Sequence, residues 1–121
     1  MRVITGTARG RKLITLEGND VRPTTDMVKE AIFSIIQFDV PGSVFLDLFS
    51  GSGQMGIEAL SRGAKFGYFV DNSKKSIDVT SENLKNVGFD SVSKCYLMDA
   101  KSFLSATNNT FDIALLDPPY S

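Results

Sequence analysis

Along residues 43–116, short apolar blocks alternate with stretches in which apolar residues recur every three or four positions. Residues 43–48, 66–70, 92–97 and 111–116 are nearly continuous in apolar side chains, which predicts strands covered on both faces. Between the first two, Ile57, Ala59 and Leu60 predict a helix running to about Arg62 and closed by Gly63. Ile77, Thr80, Leu84 and Val87 predict a second helix, capped by Ser73 and ended by Gly88. Residues 100–106 predict a third, shorter one. Alternating β and α units imply an α/β fold with a doubly wound, mostly parallel sheet.

The first forty residues have a different rhythm. Residues 1–22 predict short strands and turns around Gly6, Gly10 and Gly18, with Leu13, Ile14 and Leu16 as a candidate strand. Arg22 is extended, because a residue before proline avoids the helical region. Thr24, Thr25 or Asp26 can then cap a helix, and Val28, Ala31, Ile32, Ile35 and Ile36 carry it to about Gln37. Pro41-Gly42 closes that unit. The expected organisation is an N-terminal arm over residues 1–22 and one domain over residues 23–121. The sequence stops soon after a strand that belongs in mid-sheet, so further C-terminal strands are expected to be missing from it.

Composition narrows the chemistry. The 121 residues contain no histidine and one cysteine, which excludes a Ser–His–Asp triad, a His-ligated metal and an intrachain disulfide. Cys95 lies in an apolar run and is expected to be a core thiol. No apolar run approaches the ~20 residues of a membrane span, and the N-terminus lacks the apolar stretch of a signal peptide, so a cytoplasmic protein is expected. Charge is uneven: Arg2, Arg9, Arg11 and Lys12 give residues 1–12 a local +4, while the whole chain carries −1. A basic arm on an acidic body points to a polyanionic partner, although a solvated hairpin has the same composition.

Three features fall at the predicted carboxyl ends of successive strands, where open α/β sheets bind ligands. Asp47 opens a glycine loop that contains Gly51, Gly53 and Gly56; these let the chain approach a ligand and let the next helix pack on the sheet. Asp71 ends the second strand, where a carboxylate can accept both hydroxyls of a ribose. Asp99 follows the third strand, placed to meet a purine amino group. The glycine spacing is also that of a dinucleotide fingerprint. Asp47 argues against that reading, since a pyrophosphate beside it would suffer a repulsion worth up to several kcal/mol at low dielectric. A zwitterionic amino-acid nucleoside, with an ammonium group, suits the loop better. After the fourth strand comes Asp117-Pro118-Pro119-Tyr120. Two prolines hold the backbone rigidly, so a carboxylate, a carbonyl and a ring can orient a planar amine for attack on an electrophile.

With these motifs the sequence resembles class I S-adenosylmethionine-dependent methyltransferases of the D-P-P-Y type. More narrowly it is similar to the RsmD-like family, which methylates the exocyclic N2 of a guanine in 16S ribosomal RNA (guanine-966 in the family's usual name). The similarity includes Arg9-Gly10-Arg11-Lys12-Leu13, Arg22-Pro23-Thr24-Thr25-Asp26, Glu58-Ala59-Leu60-Ser61-Arg62-Gly63, Glu82-Asn83-Leu84 and the final tetrad. The resemblance implies a Rossmann-like domain in which Asp47, Phe49, Gly51, Ser52 and Gly53 hold the methionine part of S-adenosyl-L-methionine. It implies that Asp71 and Asn72 bind the ribose, and Asp99 and Ala100 the adenine. Asp117, Pro118, Pro119 and Tyr120 would be catalytic. Arg9, Arg11, Lys12, Arg22, Thr24 and Thr25 would contact 16S rRNA or a small-subunit intermediate, and no metal is implied. Asp71 stands where many relatives have Glu. A DNA adenine-N6 methyltransferase and a non-catalytic binding fragment are the alternatives.

Overall fold

A computed structural model describes residues 1–16 and 25–116. The four apolar blocks form strands β1 (Val44–Asp47), β2 (Phe66–Asp71), β3 (Ser93–Leu97) and β4 (Ile113–Leu115). All pairings are parallel, in the order β3-β2-β1-β4. The helices are α1 (Asp26–Ile35), α2 (Gln54–Ser61), α3 (Lys74–Val87) and α4 (Ala100–Ala106). The chain steps outward from β1 to β3, and α4 then carries it back across to the far side of β1. The strand order therefore reverses between β1 and β4, the place where such sheets bind ligands.

Strand register separates two faces. Phe45, Phe69, Cys95, Ile113 and Leu115 share the face that receives α1, α2 and α3. Leu46, Tyr68, Val70 and Tyr96 share the opposite face with Phe103 of α4. Helices on both faces make the sheet doubly wound, as the continuous apolar blocks require. Cys95 is only half-buried against the core, which corrects the expectation of a fully enclosed thiol; burial still pushes its pKa up to about 11.

Local boundaries follow side-chain chemistry. Ser73 Oγ accepts the Ser76 N–H as the N-cap of α3, and Gly88 ends that helix in the left-handed region. A 3-10 turn, Asp90–Val92, takes the start of the third apolar block. Gly56 lies against the Phe69 ring, where a Cβ would come within 2.3 Å of a ring carbon; α2 packs on β2 because that atom is absent. Among the described residues no helix is long and apolar enough to cross a membrane.

Two expectations near the N-terminus are corrected. Leu13, Ile14 and Leu16 form no strand; among the described residues the sheet-like pairing of the arm is an isolated antiparallel bridge between Arg2 and Lys12. In α1, Val28 and Ile35 are exposed, and the buried residues are Lys29 and Phe33. The helix is rotated because Lys29 has buried partners. Its Nζ donates to the Arg2 carbonyl at 3.0 Å and lies 3.8 Å from Glu58 Oε1. Burial lowers the Lys29 pKa, while the negative charges of Glu58 and Asp26 pull it back up. Phe33 stacks near Phe45 and beneath the Arg62 guanidinium.

The N-terminal arm is part of the core. Val3, Ala8 and Leu13 are buried with Ile57, Leu60 and Phe69. Glu58, with no exposed surface, accepts the backbone N–H groups of Ile4 (2.9 Å) and Thr5 (3.0 Å) and the Arg62 Nε–H (2.8 Å). Ser61 Oγ donates to the Thr5 carbonyl and accepts from the Ala8 N–H.

Two stability predictions follow. Glu58→Ala strands two amide donors and the Lys29 charge, so urea unfolding should register a loss of about 3–5 kcal/mol; an unchanged midpoint would show that the arm docks by apolar contact alone. Gly56→Ala should cost about 1–3 kcal/mol through overpacking against Phe69, and Gly56→Ala with Phe69→Leu should recover part of it in the same titration.

Candidate functional site

The carboxyl ends of the strands bring most of the expected cofactor residues to one edge of the sheet. β1 ends at Asp47, and Phe49 and Ser50 lead into the loop that starts α2. Gly53 precedes the helix at φ +84°, with Thr80 3.0 Å from where a Cβ would be, so both conformation and space call for glycine. Ser50 donates its N–H to the Val70 carbonyl, and Gly53 donates to Ser50. These bonds fold the loop back over the tip of β2.

Asp47 is buried and accepts the Gly56 N–H at 3.2 Å. Gly56 is in the first turn of α2, whose N-cap glycine has no side chain to satisfy that donor. The Asp47 carboxylate does so from the strand below. It also lies against the positive end of the helix dipole, which stabilises negative charge. A dinucleotide fold places the pyrophosphate at that helix terminus; here a carboxylate already stands there.

Asp71, at the tip of β2, accepts the Gly51 N–H through Oδ2 and the Ser73 N–H through Oδ1, both at 3.0 Å. Its carboxylate thus ties the glycine loop to the start of α3, and each oxygen keeps one lone pair for a further donor. Asn72, beside it, is exposed. The Asp71 carbonyl accepts the Met98 N–H, which sets Asp99 and Ala100 alongside. Asp99 caps α4: it accepts the Ser102 N–H at 2.8 Å and the Ser102 hydroxyl at 2.9 Å. Hydrogen bonds from the Ser102 backbone and hydroxyl hold the Asp99 carboxyl below its ordinary pKa. As in Asp71, each Asp99 oxygen accepts one bond and keeps a lone pair for a further donor.

Arg9, Arg11 and Lys12 are exposed on the arm. The Arg11 guanidinium donates to the Asn86 carbonyl of α3. Arg9 lines a cleft of about 360 Å³ with Arg2 of the arm and Asp26 and Glu30 of α1, so acidic groups face its charge. Thr25 is the N-cap of α1 and accepts the Val28 N–H at 3.3 Å. Arg22 and Thr24 lie outside the described residues, as do Asp117, Pro118, Pro119 and Tyr120. A larger cleft, about 560 Å³, opens at the amino ends of β1 and β4 around Asp39, Ser43 and Asp112, on the sheet edge away from the glycine loop.

Two residues at the site escaped the sequence reading of roles. Thr80 Oγ1 donates to the Gly51 carbonyl at 2.8 Å, and Asn83 Nδ2 donates to the Ser52 carbonyl at 2.8 Å. The signal was present: both are polar positions on an otherwise apolar helical stripe, and a buried polar side chain needs a partner.

The chain is 45% identical over 123 residues to "Putative rRNA methyltransferase YlbH" of Bacillus subtilis, covering 99% of this chain and 67% of that protein. It is 37% identical to "Ribosomal RNA small subunit methyltransferase D" of Haemophilus influenzae, covering 99% of this chain and 64% of that protein. The chain thus spans about two thirds of these relatives' length. Among solved structures, "Putative methyltransferase yhhF from Escherichia coli" superposes with a TM-score of 0.89 at 32% identity, covering all of this chain and 65% of that one. The family model described as "Conserved hypothetical protein 95" matches residues 1–121, and the chain belongs to that family.

Proposed function

We propose that this chain provides the cofactor-binding part of an S-adenosylmethionine-dependent methyltransferase that modifies the exocyclic N2 of a guanine in small-subunit ribosomal RNA. The observation that carries the reading is the Asp47 carboxylate at the N-terminus of α2. It takes the position a pyrophosphate needs in a dinucleotide enzyme, and it favours a ligand with an ammonium group. The names of the relatives, which are rRNA methyltransferases, support the same reading.

The residues at this edge fit such a ligand. Asp47 offers negative charge beneath the loop, Gly51 and Gly53 leave the approach free of side chains, and Asp71 retains acceptor capacity at the tip of β2. S-adenosylmethionine, when bound, supplies a methyl group on an electrophilic sulfonium. In this reading Asp117 and the Pro118 carbonyl, next in sequence after β4, accept hydrogen bonds from the guanine N2 amine and aim its lone pair, while Tyr120 stacks on the base. The amine nitrogen would gain the methyl group as the sulfonium S–CH3 bond breaks to leave S-adenosylhomocysteine, and it would shed a proton to solvent, so no strong base is required. The target base has to leave its stack to reach the site. Arg9, Arg11 and Lys12 hold the phosphates.

Tritiated-methyl transfer to unmodified small-subunit rRNA tests the proposal. The protein should label guanine N2, and Asp117→Ala should lower kcat by about 100-fold while S-adenosylhomocysteine still binds. Label appearing in DNA adenine instead, or equal labelling by Asp117→Ala, would overturn it. Lys12→Ala should weaken RNA binding at every sequence and reduce the slope of log affinity against log salt by about 0.7; an unchanged slope would remove Lys12 from the RNA surface.

A further inference from the structure

Helix α3 presents one line of polar contacts to two different segments. Thr80 and Asn83, three residues apart on one face, are both fully buried. Among the described residues Thr80 bonds the glycine loop alone, through the Gly51 carbonyl and Ser50 Oγ. Asn83 bonds the loop and the arm at once. Its Nδ2 donates to Ser52 O at 2.8 Å and to Ile14 O at 3.0 Å, and its Oδ1 accepts the Ile14 N–H at 2.7 Å. Further along the helix, the Asn86 carbonyl receives the Arg11 guanidinium.

A side-chain amide is planar and carries two N–H donors on one nitrogen. In Asn83 these donors go to separate segments, so fixing one acceptor fixes the orientation available to the other. Ser52 belongs to the loop assigned above to the cofactor. Ile14 follows Lys12, one of the cations assigned to RNA, by two residues. A ligand that orders the Ser52 carbonyl orders the amide plane, and with it both backbone groups of Ile14. The second ligand then meets an arm whose ordering at Ile14 is already met.

We infer that Asn83 is a positioning residue that couples cofactor binding at the glycine loop to RNA binding at the arm. The inference rests on the function proposed above and adds a coupling between its two binding surfaces. By linkage the effect is reciprocal: each ligand tightens the other by the same factor. A residue that only stabilised the fold would change both affinities without changing their ratio.

Calorimetric titration of S-adenosylhomocysteine, with and without small-subunit rRNA, measures that ratio. The unsubstituted protein should bind S-adenosylhomocysteine about 5-fold or more tightly when RNA is present. Asn83→Ala should bring the ratio to about 1. Thr80→Val loses only the loop contacts, so it should weaken S-adenosylhomocysteine in both conditions and keep the ratio. If Asn83→Ala does not fold, Asn83→Ser and amide exchange answer the same question. S-adenosylhomocysteine should slow exchange of the Ile14 N–H in the unsubstituted protein and leave it unchanged in Asn83→Ser. A ratio of 1 in the unsubstituted protein, or the unsubstituted ratio persisting in Asn83→Ala, overturns the coupling while the proposed function stands. Failure of the unsubstituted protein to bind either ligand overturns both.

Discussion

The carboxylate of Glu58 is the point on which the N-terminal half of the molecule is assembled. Moving a carboxylate out of water carries a penalty of several kcal/mol, and only close partners offset it. Glu58 meets that demand with two backbone amides of the arm, the Arg62 guanidinium and the Lys29 ammonium of α1. Two segments far from α2 in sequence, the arm and α1, therefore converge on one of its side chains. The convergence allows a segment with four cations to lay Val3, Ala8 and Leu13 on the core while its charges stay in water.

Helix α2 extends that constraint to the sheet edge. Its C-terminal half holds the arm through Glu58 and Ser61, and its first turn bonds Asp47 through the Gly56 N–H. Gly56 and Phe69 fix how closely the same helix lies on β2. One short helix thus sets the distance between the glycine loop and the arm, and α3 braces both from the side through Thr80 and Asn83.

The sheet was legible in the sequence because its signals are local. Apolar blocks, Ser73 before α3 and Gly88 after it, and the glycine spacing all act within a few residues of where they stand. Asp47 and Asp71 were legible for the same reason, since strand ends could be counted. The docking of the arm was not. Lys29 looks like one more surface cation on α1, and Val28 and Ile35 look like its apolar face; its buried partners, the Arg2 carbonyl and Glu58, lie 27 and 29 positions away and turn the helix the other way. Asp99 was legible as a residue at the third strand tip, but its bonds to Ser102 give it a capping role that strand position alone does not reveal. The tetrad at 117–120, the sharpest motif in the sequence, lies outside the described residues.

The distribution of charge also constrains how any polyanion can approach. Asp47, Asp71 and Asp99 line the carboxyl edge of the sheet, whereas Arg9, Arg11 and Lys12 stand on the arm. Phosphates are repelled from the first surface and attracted to the second, and at physiological salt both effects fade within about 8 Å. In the proposed function a nucleic-acid backbone would lie over the arm, and only an uncharged group such as a base would gain by reaching toward the carboxylates. On that proposal, phosphate binding and chemistry on a base fall to different surfaces. The rigid path between those surfaces runs through buried polar side chains of α2 and α3.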